Sequence, residues 1–503
     1  MTLIMKKLIK YFRDKPHILL LIVILLLGTF FRTYQIVDRF AFAHDGDLYS
    51  WIVKDILVNK HFRLVGQETS ASGIFIGSFF YYLIAPFFLL TNMDPIGAVI
   101  PITAIGILTI LSYYIVFSKL FNVTIGLMAS FLYATLIATI LSDRWVVPST
   151  LTNLWVIWYF YTVVMLSRGN FIVLPIAGIL IGLIWHIHIA LLPSLIALPL
   201  AVFLSKKFPT AKQILIFLMV LFITSLPLLI FEIKNGFPQS ASFIQKFLSP
   251  NLGGATGIYK FQKVMQMIAK NINNLFFAPQ SFNFTNNIFF VIALLLSALL
   301  LIKRKLIALK ELLPLYAWIL GVVLFFSLTS SPVSEYYFSN IEVIFLMFVS
   351  ILFYFLFQSS NLGKKVALGI FIIILFKNAF YFININQYQK GYAEKKAVVN
   401  FIVEDARLRN FPCFSINYIT SPGENVGFRY FFYLKSAKLS VAGNGSPVYS
   451  IVIPDEYAKD EVEKRFGHIG IITPKKVATM QVLDYACSGL NTNLTDPMLG
   501  FVE

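Results

Sequence analysis

Charge is what this chain has least of. Only 13% of its 503 residues are Asp, Glu, Lys or Arg, while 58% are apolar. A soluble globular chain carries about 25% charged and roughly 45–50% apolar residues, so a soluble fold could not hide this much apolar surface. Cysteine is nearly absent, with Cys413 and Cys487 alone, which excludes a cysteine-built metal framework. Both lie in the last polar stretch, which allows one disulfide if that stretch faces an oxidising space. Histidine is sparse too. His186 and His188 stand two residues apart, not the i, i+4 of a helical zinc pair. Acidic residues are outnumbered 24 to 41, giving a net charge of +17. No basic run is interleaved with aromatics in a soluble module, so nucleic acid is not the partner this charge implies. No internal repeat is evident.

What the chain has instead is a series of apolar runs long enough to cross a bilayer core about 30 Å thick. Spans are expected near residues 17–35, 96–117, 123–141, 148–166, 171–187, 189–204, 212–231, 286–302, 312–329, 340–357 and 365–383, about eleven in all. The basic start (Lys6, Lys7, Lys10, Arg13 and Lys15) resembles a signal peptide. The run after it is long and has no small-residue cleavage site, so it reads as a first span that stays.

The loops fall into two sets. The basic set is KKLIKYFRDK, Lys119, Arg168, SKKFPTAK, KRK at 303–305 and GKK at 363–365; the other is HDGD, SDRW, WHIH, FEIKNG and SSPVSEYY. The sets alternate along the chain only if the stretch from Gly73 to Leu90, which contains Pro86, does not cross. The positive-inside rule then puts the N-terminus and basic loops in the cytoplasm and the other set outside, at the plasma membrane. LYSWIVKDILVNKHF and YKFQKVMQMIAKNINNLFF each gather apolar residues on one helical face and read as helices lying on the outer membrane surface. From about Asn384 the composition becomes that of an ordinary globular segment. A membrane domain over residues 1–383 and a small extracytoplasmic α/β domain over 384–503 are therefore expected, with YSIVIP as a strand and EYAKDEVEKRF as a helix.

Ionisable groups at membrane depth are costly and commonly face a polar cavity. Asp45 and Asp47 follow the first span; Arg144, His186, His188, Glu232, Lys234, Glu335, Tyr336 and Tyr337 stand at span ends on the same side. Two carboxylates two residues apart could hold a divalent cation such as Mg or Mn, or supply a general base. They could equally cap a helix starting at Leu48. Each of the other residues taken alone could be a snorkelling, interfacial or capping group; together they suggest one site.

The order of HDGDLYSWIVKDIL, GQETSASGIFIGSFFYYLIAPFFLL, DPIGAVIPITAIGILTILSYYIVFSKLF, SDRWVVPSTL, HIHIALLPS, PLLIFEIKNGFP and EYYF resembles the bacterial and archaeal branch of the protein O-mannosyltransferase-like family (glycosyltransferase family 39, GT-C fold). It also resembles the related aminoarabinose transferases of lipid A. The match covers roughly residues 15–345 and is loose beyond, through GENVGFRYFF. Many members carry a contiguous Asp-Glu pair where this chain has Asp45 and Asp47 separated by Gly46. The resemblance implies an all-α polytopic membrane glycosyltransferase that moves a sugar from a polyprenyl phosphate to an acceptor on the outer face, with inversion. It implies Asp45 as base and phosphate stabilisation by Arg144 and Lys234, with Lys260 or Lys263 as further candidates. Glu335, Tyr336 and Tyr337 would bind the sugar. A transporter or flippase, or a polymer ligase of lipid-linked saccharides, is the alternative; a transporter should carry polar groups near helix centres and broken helices in paired halves.

Overall fold

A computed structural model describes residues 14–69, 73–248, 257–278, 287–329, 333–385, 389–475 and 479–494. The basic residues at 6–13 lie outside this set. Seven helices are long and apolar enough to cross a membrane: Pro16–Thr33, Pro95–Leu120, Pro148–Ser167, Ala211–Asn235, Leu309–Leu328, Glu335–Ser359 and Asn361–Asn384. Four more expected spans form shorter apolar helices, Val123–Thr135, Phe171–Ile187, Ile189–Leu204 and Ile288–Lys303. The chain is a multi-pass, mainly α-helical membrane protein.

Several helix starts are fixed by side chains that accept otherwise unpaired backbone N–H groups. Asn122 accepts from Ile125, Asn287 from Phe290 and Ser360 from Gly363, while Thr210 and Gln213 form a reciprocal capping box. The expected span at 123–141 divides at Leu136, whose extended backbone ends one helix and opens the short Ile137–Ser142 helix. Thr139 bonds back to the carbonyls of Tyr133 and Leu136 across the break.

One end of the bundle gathers basic groups. Arg168 pairs with Glu311 at 2.9 Å and donates to the Leu120 carbonyl, and the Lys207 side chain packs beside Gly169. The other end carries the short elements. β1 (Val65–Glu68) pairs antiparallel with β2 (Phe75–Gly77), and the helix Phe79–Leu90, with Pro86 inside it, follows. At 12 residues that helix is about 18 Å long, too short to cross.

The helix expected to begin at Leu48 begins at His44 and runs to Leu57, so Asp45 and Asp47 lie inside its first turn. It does not lie on the membrane surface either. Leu48, Tyr49, Trp51, Ile52 and Val53 are buried, because the helix is sandwiched between Phe79–Leu90 and the C-terminal segment. The amphipathic helix Ile258–Phe277 buries Val264, Ile268 and Ile272 as expected, but Lys260 is buried with them and bonds the Thr329 carbonyl.

After the last span, Tyr392–Leu408 forms a helix against a four-stranded sheet of order β3-β4-β6-β5. β3 (Ser415–Thr420) runs parallel to β4 (Val448–Ile453), and β6 (Ile469–Ile472) lies antiparallel between β4 and β5 (Lys464–Phe466). YSIVIP is therefore a strand. EYAKDEVEKRF is not a helix: it gives a 3-10 turn at Asp455–Ala458 and then β5, because its last residues complete the sheet edge against β6. Cys413 and Cys487 form a disulfide.

Candidate active site

A cavity of about 610 Å³ opens at the end of the bundle away from the Arg168 cluster. Six separate stretches of chain build it: Asp45 from the helix after the first span; Gln67, Glu68 and Thr69 from β1 and its turn; Ile76 from β2; residues from 141–153; His188 with Ala190 and Leu191; and Tyr336 with Tyr337 and Ser339. Four of the residues expected from the sequence, Asp45, His188, Tyr336 and Tyr337, thus share one wall. Trp145, from the SDRW cluster, joins them, and so do Glu68, Gln67 and Asn153, which the sequence did not single out. Among the described residues that line it, Asp45 and Glu68 are the only charged ones.

Local structure explains each placement. Asp45 stands in the first turn of its helix, beside the partial positive charge of that helix's unpaired N–H groups. Gln67 is set by Tyr81: the Gln67 N–H donates to the Tyr81 hydroxyl at 3.1 Å, and that hydroxyl donates to Gln67 Oε1 at 3.3 Å. Burial, and secondarily the Asp45 charge, push the Tyr81 hydroxyl pKa up, so it stays protonated. Glu68 accepts the Gly73 N–H at 2.5 Å, closing the β1–β2 turn. His188 caps the 3-10 stretch Ile189–Ile196, its Nδ1 accepting the Ala190 N–H at 3.0 Å. The ring is therefore neutral, with its proton on Nε2, 3.4 Å from the Tyr336 hydroxyl. Its ring also lies 4.9 Å from that of Tyr337, making an aromatic wall.

The remaining predicted residues lie elsewhere. Asp47 is i+2 from Asp45, about 200° around the helix; it accepts the Tyr430 N–H at 3.2 Å from the C-terminal segment. The two carboxylates therefore diverge and do not form one cation site. Arg144 is buried and donates to the Phe31 carbonyl at 3.0 Å, with its guanidinium over the Phe382 ring. Its neighbour Asp143 binds Arg32 at 2.6 and 2.8 Å and accepts from Tyr133 and Asn153. His186 is pinned between the Thr224 carbonyl and the Phe79 N–H. Glu232 accepts the N–H groups of Gln239 and Ser240, starting the helix Pro238–Leu248. Lys234 is exposed, as is Lys263, and neither reaches the cavity wall. Glu335 pairs with Lys270 at 2.5 Å, one residue before Tyr336.

A second, mainly apolar cavity of about 430 Å³ lies between Ala211–Asn235 and Pro238–Leu248, lined by Ile74, Trp185, Leu192, Leu228, Phe243 and Ile244 with Glu232 and Gln239. Among the described residues, one group of potential metal ligands comes within mutual reach: Asp455, Glu456 and His468, on the C-terminal sheet and outside both cavities.

No family model matches this chain, and no curated protein matches its sequence. Solved structures match its fold. ArnT from Cupriavidus metallidurans in the apo state aligns with a TM-score of 0.56 at 11% identity, covering 92% of this chain and 98% of that one. ArnT from the same organism bound to undecaprenyl phosphate aligns at 0.55 and 10% identity over the same shares. At these identities the likeness speaks for architecture, and the chain has the GT-C fold.

Proposed function

We propose that this protein is a glycosyltransferase that takes a sugar from a polyprenyl-phosphate donor and passes it to an acceptor on the extracytoplasmic face. The observation that carries this reading is the 610 Å³ cavity, which joins Asp45 to an aromatic wall of Trp145, Tyr336 and Tyr337 at one end of the membrane bundle. Aromatic faces suit the apolar faces of a sugar ring, and a carboxylate at the cavity edge suits a general base. The orientation is supported by the basic cluster at the opposite end and by a disulfide in the segment packed on the cavity end. The ArnT fold was solved with undecaprenyl phosphate bound, and the second cavity offers an apolar slot for such a lipid tail.

In this mechanism Asp45 removes the proton from the acceptor hydroxyl. The acceptor oxygen attacks the anomeric carbon, and the bond from that carbon to the phosphate oxygen breaks, inverting the centre. The Nε2–H of His188, 3.4 Å from the Tyr336 hydroxyl, would turn from that long contact to donate to the departing phosphate. His188 is not the base, because its Nδ1 lone pair is committed to the Ala190 N–H. A divalent cation, Mg or Mn, bound by Asp45 or Glu68 would supply positive charge that no Lys or Arg among the described lining residues supplies.

The test is turnover of undecaprenyl-phosphate-linked monosaccharides by the full chain in lipid nanodiscs. Asp45→Asn should lower it by about 10²- to 10⁴-fold, the usual contribution of a general base, with the protein still folded. Near-normal turnover by Asp45→Asn would sink the assignment.

A further inference from the structure

The helix that carries Asp45 is held at its start by the C-terminal segment rather than by the membrane bundle alone. Three contacts converge there. The Tyr430 N–H, on the short helix Arg429–Leu434, donates to Asp47 Oδ1 at 3.2 Å. Lys395 donates from Nζ to the carbonyl of Phe42, just before the helix, at 2.8 Å, and equally to the Val426 carbonyl. The Phe42 and Trp51 rings pack on Phe431 and Tyr430 at 4.9 and 5.5 Å.

The geometry of the first turn gives these contacts a meaning for the cavity. Asp45 and Asp47 lie on opposing sides of one turn, so a grip on Asp47 from outside fixes the direction in which Asp45 points inward. A helix start has backbone groups without intrahelical partners and tends to fray, and this one has no side-chain cap at Ala43. Lys395 and Tyr430 do not cap its free N–H groups; from another part of the chain they tie down the stretch entering the helix, at the Phe42 carbonyl, and the Asp47 side chain of the first turn.

We infer that the C-terminal segment is a working part of the site: Asp47 and Lys395 are positioning residues through which it sets the orientation of Asp45 toward the cavity. The inference rests on the transferase reading only for its catalytic consequence; the clamp is a structural claim of its own. A catalytic group held loosely by about 1 Å loses much of its effect, so the clamp matters to rate more than to binding.

Both native cysteines are in the disulfide, so Asp45→Cys introduces the one thiol available for a nitroxide spin label. In the full chain in nanodiscs, this label should show one immobilised spectral component. Adding Asp47→Leu, which removes the acceptor, or Lys395→Met, which removes the donor, should add a second, mobile component. Asp47→Asn, whose amide oxygen still accepts, should keep the single component. Melting curves select the variants that remain folded, and two independent sites guard against one of them failing to fold. A spectrum unchanged in a folded Asp47→Leu or Lys395→Met protein overturns the inference. So does a mobile component in Asp47→Asn as large as in Asp47→Leu. With Asp45 restored, Asp47→Leu should lower kcat by about tenfold and leave KM for the lipid-linked sugar essentially unchanged. If Asp45→Asn itself keeps its turnover, the transferase assignment fails while the spectral result still decides the clamp.

Discussion

Asp143 shows how one buried residue can serve the bundle rather than the chemistry. Its carboxylate faces Arg32 in a pair with side chains 1% and 0% exposed, joined by Tyr133 and Asn153. Removing one partner of such a pair leaves an uncompensated buried charge, at a cost of about 3–5 kcal/mol. Asp143→Asn should therefore lower the melting temperature of the purified protein markedly, while turnover per folded molecule stays near normal; an unchanged melting temperature would show that Arg32 finds other compensation. The sequence displayed Asp143 and Arg144 as a charged cluster at a span end, and that much was legible. It could not show which groups would turn inward. Arg144, His186 and Glu232 stand at equivalent span ends to Asp45 and His188, yet each meets a backbone carbonyl or N–H that only the assembled fold brings near. Trp145 was legible as part of the SDRW cluster, whereas Glu68 was missed because nothing in its local pattern distinguishes a turn-closing carboxylate from a cavity wall.

The C-terminal segment docks through groups whose charge states the fold has altered. Burial raises Asp47 to about 6, against the lowering effects of the Tyr430 N–H bond and of Arg429, Lys395 and His44. Burial also lowers Lys395 to about 8. A carboxyl that binds its proton more tightly when folded stabilises the protein below its unfolded pKa near 4, and that contribution fades as pH rises through 6. A lysine that holds its proton less tightly when folded costs stability at neutral pH, and the cost disappears as pH rises from 8 towards 10.5. Melting temperature should thus fall between about pH 4 and 6 and recover above 8, and Asp47→Asn should abolish the acidic limb only; an unchanged acidic limb in that variant would assign it to other groups. The disulfide is a second support for the same unit. Cys413 and Cys487 are 74 residues apart, and closing a loop of that length stabilises a fold by about 4 kcal/mol in the chain-entropy estimate. Replacing both by serine should lower the melting temperature of the C-terminal segment, with the membrane bundle less affected, as followed by hydrogen exchange. Equal losses in both regions would mean that they unfold as one unit. Strand YSIVIP was legible from its run of β-branched residues. EYAKDEVEKRF was not, because pairing with Ile469–Ile472 outweighs a helical propensity that is only local.

At the scale of the whole molecule, Asp45, Trp145, His188 and Tyr336 can serve one site only if their loops share a face of the membrane. The alternation of basic and non-basic loops predicted it, and the assembled chain brings Asp45, Trp145, His188 and Tyr336 to one cavity while Arg168, Glu311 and Lys207 gather at another end. The helix Ala211–Asn235, at 25 residues, is about 37 Å long and links the two ends directly. Lys207 precedes it, Lys234 stands in its last turn, and both are exposed. In an otherwise thiol-free protein with the disulfide cysteines replaced, Lys234→Cys should react with a membrane-impermeant thiol reagent in intact cells, and Lys207→Cys should react only after the membrane is opened. The apolar stretch ending at Leu90 is the critical exception to the rule that apolar runs cross. Phe62 and Asn92 lie on either side of its short helix, and Phe62→Cys and Asn92→Cys should both react from outside. Were they to report opposite faces, HDGD and SDRW would be separated by the bilayer, Asp45 and Trp145 could not line one cavity, and the transferase reading would fall with it. Ser331, five residues before Tyr336 in the sequence, would serve as a further reporter of the outer face and lies outside the described residues. Agreement of Lys234, Phe62 and Asn92, with Lys207 protected, would place the cavity and its C-terminal clamp together in the extracytoplasmic space, where a sugar carried on a membrane lipid can reach both.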